Sequence, residues 1–355
     1  MNATTPTFAA AVCIGRFQGL HLGQLAVIRR ALALAPRVVV VIGSAFQARS
    51  PKNPFTWAER VEMIRLALGA DEAARVGFLP VRDHYDGQRW VQAVREGVLA
   101  QLGTLPPGQT VLVGHHKDAT STYLDDFPGW LLDDVGSQGA LHSSAVRDAL
   151  FGAAGHPLEP ALAALVSQVP PSTIHFLRAW AQLPRYRELA DEWASLRAEK
   201  ALWASAPYPP VFVTVDALIQ CADRVLLIVR GRAPGQGLFA LPGGFLEPRE
   251  TVYQSALREL HEETGLHLLP ADIAHALRGV RVFDHPDRSA RGRVITHAHH
   301  FDLGHRPLPE VQGSDDARSA QWVPIADLAA MEDRFHDDHF HILDSFLGLT
   351  ASPSV

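Results

Sequence analysis

Cysteine is nearly absent: the 355-residue chain has two, Cys13 and Cys221. They stand far apart in apolar surroundings, which argues against a disulfide or a cysteine-built metal site and predicts buried free thiols in a reducing compartment. No apolar run is long enough for a membrane span, and the opening MNATTPTFAAAVCIGRF has no basic stretch of the kind that begins a signal peptide. A cytoplasmic protein with no membrane partner is expected. Positive charge is not in excess either: 32 Lys and Arg face 38 Asp and Glu, for a net charge of −6. That balance argues against a nucleic-acid partner, while local basic pockets for small phosphorylated ligands stay open. Internal repeats and low-complexity tracts are lacking as well. What is present is bulk, with 47% hydrophobic and 20% charged residues, enough for two ordinary cores.

The hydrophobic pattern divides accordingly. From Phe8 an apolar run reaches Gly15-Arg16-Phe17, a helical pattern follows through Leu25, Ile28 and Leu32, and a β-branched run covers Val38 to Ile42. Strand, helix, strand is the opening of a doubly wound parallel sheet, here Rossmann-like. Helices near 56–69 and 88–102 and strands near 76–81 and 110–114 continue the alternation to about residue 165. Pro170 and Pro171 open a helical stretch with Tyr186, Leu189, Trp193 and Leu196 on one face, and Pro207, Pro209 and Pro210 close it. Strands over Val211–Ala217, Val225–Arg230, Val280–Phe283 and Val294–Phe301 and a helix near 337–347 give the remainder an α+β pattern. The acidic segment from Glu310 to Asp316 reads as a solvated loop. The expected layout is a first domain over 1–168, a helical connector over 169–206 and a second domain over 207–355.

Residues 244–266 read GFLEPRETVYQSALRELHEETGL. Thr251 and Gln254 make a capping-box pattern, Val252, Ala256, Leu257 and Leu260 a buried stripe, and Gly265 a left-handed stop, so the segment is expected to be a helix. Glu259, Glu262 and Glu263 are spaced i, i+3, i+4, which places three carboxylates on one face. Like charges so placed repel, and hard divalent cations with oxygen ligands turn that repulsion into coordination: Mg2+ or Mn2+ is the expected cofactor, held by these three. Arg258 is expected to orient Glu259 or Glu250 by a bidentate contact, leaving the other carboxylates to the metal. Gly244, Glu250, Arg258, Glu259, Leu260, Glu262, Glu263, Gly265 and Leu266 fill every fixed position of G-x5-E-x7-R-E-U-x-E-E-x-G-U, with U bulky and apolar. The segment therefore resembles the signature of the Nudix hydrolases, which cleave a nucleoside diphosphate linked to another group.

In the first half, Gly15-Arg16-Phe17-Gln18-Gly19-Leu20-His21-Leu22-Gly23-Gln24 falls where the first strand meets the first helix, a place suited to phosphate. It resembles the G-x-F-x-P-x-H-x-G-H motif of adenylyl and cytidylyl transferases. His21 matches the first histidine, Gln24 replaces the second and Gly19 the proline. Gln24 can still donate a hydrogen bond but carries no positive charge. Leu141 to Arg147 is similar to the I-S-S-T-x-x-R motif of the same superfamily, with Ser143 and Ser144 at the binding positions and Arg147 as its phosphate arginine. Asn53 to Arg60 resembles the N-P-F-T-x-x-E-R stretch of archaeal-type nicotinamide mononucleotide adenylyltransferases. Asp83 and Trp90 look like that family's nicotinamide-recognising pair, and Gly114, Lys117 and Asp118 like its G-x-x-K-D segment.

Together these pieces resemble the bifunctional nicotinamide mononucleotide (NMN) adenylyltransferase and Nudix hydrolase proteins over nearly the whole chain. The resemblance implies that the nucleotidyltransferase domain joins NMN to ATP, giving NAD and pyrophosphate, and that the Nudix domain hydrolyses ADP-ribose to AMP and ribose 5-phosphate. Arg16, His21, Gln24 and Arg147 are the candidates for charge neutralisation in the first reaction, with Gly15, Phe17, Gly23, Asp83, Trp90, Gly114, Ser143 and Ser144 lining the substrates. The Nudix general base is open: Glu250 belongs to the box but suits a structural role, and the acidic loop Glu332, Asp333, Asp337, Asp338 is the other source of a base when the substrate binds. The histidines at 297, 299 and 300, and at 336, 339 and 341, suit a substrate-lining or surface role better than a zinc site. Two other readings stand beside this one. The first domain, altered at Gly19 and Gln24, would only bind nucleotides; or the chain would be a non-enzymatic sensor of NAD metabolites. Against the sensor, roughly thirty residues follow Pro324, too few for the winged helix of Nudix-related regulators. Oligomeric state is left open.

Overall fold

The valine-rich runs of the first half have both faces apolar and form the middle of a sheet covered by helices. The computed structural model describes residues 7–115, 124–136 and 142–350, and divides between Asp191 and Glu192 into two units. The first unit runs β1 (Ala10–Gly15), α1 (Leu22–Leu34), β2 (Arg37–Ile42), α2 (Trp57–Ala67), α3 (Ala70–Ala74), β3 (Val76–Pro80), α4 (Gly87–Leu102), β4 (Thr110–Gly114), β5 (Leu131–Asp134), α5 (Ser143–Gly152), α6 (Leu158–Ala163) and α7 (Pro171–Trp180). Its five strands are all parallel, in the order β3-β2-β1-β4-β5. The order reverses at β1, so the carboxyl ends of β1 and β4 open onto the crevice where such sheets bind ligands. Val12, Val39, Val41 and Leu112 of the sheet are buried in one cluster with Val94 of α4, each worth about 1.5–3 kcal/mol by its removal from water.

The prolines at 170 and 171 open a helix as expected, with Pro171 in its first turn. The helical stretch is two helices, α7 and then α8 (Pro184–Leu202). Phe55, Phe176 and Trp180 pack edge to face, with Phe55 and Trp180 centroids 4.9 Å apart, and the Tyr186 hydroxyl donates to the Leu150 carbonyl at 2.8 Å.

The second unit continues through β6 (Val211–Cys221), β7 (Arg224–Arg230), β8 (Phe239–Ala240), β9 (Gly243–Phe245), α9 (Val252–Thr264), α10 (Pro270–Ala276), β10 (Leu277–Phe283), β11 (Arg293–Asp302), β12 (Ala317–Pro324), α11 (Ile325–Leu328) and α12 (His339–Leu347). The main sheet is ordered β10-β11-β6-β7-β12, with β8 on β7 and β9 on β6. It is antiparallel except for the long parallel pair β6 and β11, which makes the unit α+β as the pattern predicted. Period-two alternation splits β6 between two cores. Ala217, Ile219 and Cys221 pack with Leu260 of α9, while Leu218 packs with Phe340, Ile342 and Leu343 of α12. Both cysteines are buried free thiols, and burial pushes the Cys13 thiol up to about 12. Among the described residues no helix is long and apolar enough to cross a membrane.

Candidate functional sites

The first site forms where β1 ends. Phe17 has a positive φ of 51°, and Gly19 has a φ of +99° with the side chain of Val146 lying 3.0 Å from where a Cβ would be. Proline, fixed near −65°, does not fit that backbone; the glycine that replaces the motif's proline is what this turn requires. His21 is the N-cap of α1: its Nδ1 accepts from the Gln24 N–H at 3.3 Å, and Gln24 Oε1 accepts from the His21 N–H at 3.3 Å. This capping box commits the Gln24 carbonyl to the helix start and leaves its amide NH2 as the donating end. With Nδ1 accepting, Nε2 is the ring nitrogen placed to donate.

Arg147 reaches back from α5 and donates to the Gln18 carbonyl at 3.0 Å. Burial, and then the like charge of Arg16, bring its pKa down to about 10. Two guanidiniums so close are an arrangement that an anion stabilises. Ser143 donates to the Gly19 carbonyl at 3.0 Å, so α5 holds the motif turn by its first residue. Gly15 and Gly23 lie in β1 and α1, and Ser144 in the first turn of α5. The structure thus brings Arg16, Phe17, His21, Gln24, Ser143 and Arg147 to one strand-to-helix corner.

Asp83 has a full set of partners: the Ser44 N–H at 3.1 Å, the Ser44 hydroxyl at 2.6 Å and Gln47 Nε2 at 3.0 Å. It holds the turn after β2, whose residue Ser44 has a φ of 49°. Arg60, which the sequence reading left without a role, is buried and gives the same region its second support, donating to the carbonyls of Arg16 and Gly43 at 2.7 Å and of Ser44 at 3.1 Å. Trp90 is half-buried in α4 and meets Phe127 edge to face at 6.1 Å. Gly114 ends β4 with Leu124 3.0 Å from its missing Cβ; Lys117 and Asp118 of the same motif lie outside the described residues.

The second site is built on α9. Thr251 and Gln254 form the expected capping box, and Gly265 stops the helix with a left-handed φ of 61°. Ala256 and Leu260 are buried as predicted, and so is Glu263. Glu263 Oε2 accepts from the Gly243 N–H at 2.9 Å, yet burial, with the charge of Glu259 adding to it, raises its pKa to about 8. Burial also raises Glu259 despite the nearby Arg258. A Cβ on Gly244 would sit 2.4 Å from Glu259 Oε1, so the first glycine of the box is the gap through which that carboxylate approaches the β9 backbone.

Arg258 departs from expectation. Its Nε meets both oxygens of Glu250 at 3.1 and 3.0 Å, while Nη1 meets Glu259 at 2.8 Å and also Glu262 at 3.0 Å. The arginine therefore spans the acidic face, and does not leave Glu262 to a cation. Among the described residues no three His, Cys, Asp or Glu side chains are arranged as a metal cluster. The donor set nevertheless fits a hard divalent cation. All its atoms are carboxylate oxygens, and the buried Glu263 has one hydrogen bond against a charge that burial disfavours, a deficit a cation removes.

The segment 310–316 is solvent-facing as expected but does more than span a gap. The Gln312 and Ser314 N–H groups donate to the carbonyls of Thr264 and Glu263 at 2.8 and 3.2 Å, capping the end of α9. Asp315 and Asp316 add negative charge beside Glu259 and Glu263. Sequence reasoning also missed a buried polar group next to the box. Arg288 makes a two-pronged pair with Asp338 at 2.9 and 2.8 Å, Asp216 accepts from Thr296 at 2.6 Å, and His339 Nδ1 accepts from the Leu241 N–H at 3.1 Å. Asp216 sits on β6 opposite Gly243, and nothing local in its run of apolar neighbours announces it.

The fold and these two corners define a class: a nucleotidyl-transferring α/β unit followed by a diphosphate-hydrolysing Nudix unit. Family models agree, "Cytidylyltransferase-like" matching residues 12–86 and "NUDIX domain" matching 210–346. A crystal structure of a bifunctional NMN adenylyltransferase/ADP ribose pyrophosphatase from Francisella tularensis, complexed with AMP and Mn ion, is 33% identical with a TM-score of 0.87, over 96% of this chain and 99% of that one. The nicotinamide/nicotinic acid mononucleotide adenylyltransferase of Acinetobacter baylyi is 33% identical over 51% of this chain and 92% of its own length. The ADP-ribose pyrophosphatase of Methanocaldococcus jannaschii is 36% identical over 38% of this chain and 72% of its own. The chain belongs to the family of bifunctional NMN adenylyltransferase/ADP-ribose pyrophosphatase proteins.

Proposed function

We propose that the first unit transfers the adenylyl group of ATP to NMN, giving NAD and pyrophosphate, and that the second hydrolyses ADP-ribose to AMP and ribose 5-phosphate with Mg2+ or Mn2+. The full-length likeness to the Francisella protein, both halves included, is the observation that carries this reading. In the first reaction an NMN phosphate oxygen bonds to the α-phosphorus of ATP as the bond to the β-phosphate oxygen breaks. Arg16 and Arg147 neutralise the triphosphate, and His21 Nε2 and the Gln24 amide donate to it. Gly15, Phe17, Gly23 and Ser144 line the nucleotide, and Gly114 the far side of the crevice. Asp83 acts on the nicotinamide side through the turn it holds, with Trp90 of α4 as the second member of the pair.

In the second reaction a water oxygen bonds to phosphorus, the bridging P–O bond breaks and one proton leaves. A bound divalent cation supplies charge neutralisation of the diphosphate and a more acidic water. Glu259, Glu262 and Glu263 would hold it, with Arg258 still anchored by Glu250 and Glu259 when Glu262 serves the cation. For the proton, Asp338 is committed to Arg288 and Glu332 is buried. Asp337, 3.4 Å from His336 Nε2 and within the field of Arg230, is the base this reading favours.

NAD formation from ATP and NMN, run beside ADP-ribose hydrolysis on wild type and Gln24→His, tests the reading. Both activities are expected in wild type. Hydrolysis alone, with synthesis appearing only in Gln24→His, would reduce the first unit to a nucleotide binder.

A further inference from the structure

Arg230 ends β7 beside the Nudix box. Its Nε donates to the Pro234 carbonyl at 2.8 Å, the one hydrogen bond its guanidinium makes among the described residues, where it forms no ion pair. Burial lowers its pKa, and the like charge of Arg291 lowers it further. Glu263 and Asp337 face it without touching it. Arg291 arrives from the turn before β11, held over the Phe245 ring at 5.5 Å and 3.7 Å from Glu199 of α8. Its Nε, the atom that faces Glu199, is buried without a hydrogen bond, and its Nη groups make none among the described residues. His336 is buried within the field of both arginines, its pKa held down by burial and then by the guanidiniums of Arg230, Arg291 and Arg288. Arg288 is already satisfied by Asp338, so it does not take part. Two neighbouring guanidiniums with idle donors, next to a carboxylate that wants a cation, form a pair of complementary deficits.

We infer that Arg230 and Arg291 cradle the diphosphate of the Nudix substrate, with Glu199 and Phe245 as positioning residues for Arg291. This rests on the second unit's acting on a nucleoside diphosphate ester. The diphosphate bridges the deficits: its oxygens accept from Arg230 and Arg291 and reach toward the cation site at Glu263. A planar fork suits such an acceptor and a lysine does so less well.

The test uses the full chain as wild type, Arg230→Gln, Arg230→Lys, Arg291→Gln and Glu199→Gln. ADP-ribose kinetics are measured with Mg2+, and the α,β-methylene analogue of ADP-ribose is titrated as a competitive inhibitor and by calorimetry. Arg230→Gln is expected to raise KM and the analogue's Kd about tenfold or more, the loss of a charge-assisted hydrogen bond. Arg230→Lys recovers part of it, Arg291→Gln gives a similar loss, and Glu199→Gln a smaller one in KM alone. The Mg2+ dependence of the melting temperature stays as in wild type. Arg230→Gln and Arg291→Gln both retaining wild-type KM and analogue Kd would overturn the cradle while leaving the hydrolase reading intact. Wild type that binds the analogue through Arg230 but leaves ADP-ribose uncut would overturn the hydrolase reading and keep the cradle. If Arg230→Gln unfolds, Arg291→Gln decides.

Discussion

Gly19 shows what one backbone angle can decide. Its φ of +99° and the nearby Val146 mean that restoring the motif's proline is expected to abolish NAD formation, with ADP-ribose hydrolysis in the same protein as the control for folded chain. Gly19→Ala costs about 1–3 kcal/mol through the left-handed backbone, read as a lower denaturation midpoint. Glu263 makes the converse point. A carboxyl raised to about 8 by burial binds its proton more tightly folded than unfolded, so without metal it subtracts stability as pH rises from its ordinary 4.5 toward 8. Glu263→Gln is therefore expected to melt higher than wild type at pH 8 in chelator, to lose the gain that Mg2+ gives wild type, and to lack hydrolysis. A wild-type melting point above the variant's in chelator would contradict the buried, uncompensated carboxylate.

At the scale of elements, α9 is a helix whose ends and buried face agree. Its N-cap was legible because Thr251 and Gln254 act through bonds three residues apart, and its acidic face because the helical period alone places Glu259 and Glu263 together. Thr251→Ala is expected to cost about 1 kcal/mol, measured by denaturant titration of the second unit's transition. The turn into α12 behaves differently. His339 is held near 4 by burial, with Asp338, Asp337, Arg288 and Arg230 facing it, and burial likewise holds His336 well below its ordinary 6.5. Both are neutral when folded and free to protonate when unfolded, so stability is present above 6.5 and lost as pH falls toward 4. The second unit's melting temperature is expected to drop through that window, and His339→Gln to flatten the slope. The sequence singled out His336, His339 and Asp338 but not their grouping with Arg288 and Asp216, because these come from three distant segments and meet only when the sheet forms.

For the whole molecule, the candidate residues of the first site all fall in the first unit and those of the second site in the second. Glu259→Gln is expected to end ADP-ribose hydrolysis while leaving NAD formation within a factor of about two, and Arg147→Gln to do the reverse, both measured on one preparation. A change in the other activity larger than tenfold would refute that separation. Two units also make a single unfolding free energy ill-defined, and Mg2+ is expected to move the second unit's transition only.

The order of elements, the parallel character of the first sheet, the α+β pattern of the second and the chemistry of the box followed from sequence, since these depend on period and on spacing within one turn or one strand. Short or polar strands such as β5 and β12 carried no such period. The departures were matters of which partner is met, mostly across long range and, for Arg258, among carboxylates one to eight residues away. The tertiary structure decided that Arg258 spans three carboxylates, that Asp83 holds a turn supported by the buried Arg60, that the acidic loop at 310–316 caps α9, and that Arg230, among the described residues, forms no ion pair although Glu263 lies within its field. Local sequence sets what a residue is able to bond, but only the folded chain sets which partners are near enough to be bonded and which are kept apart.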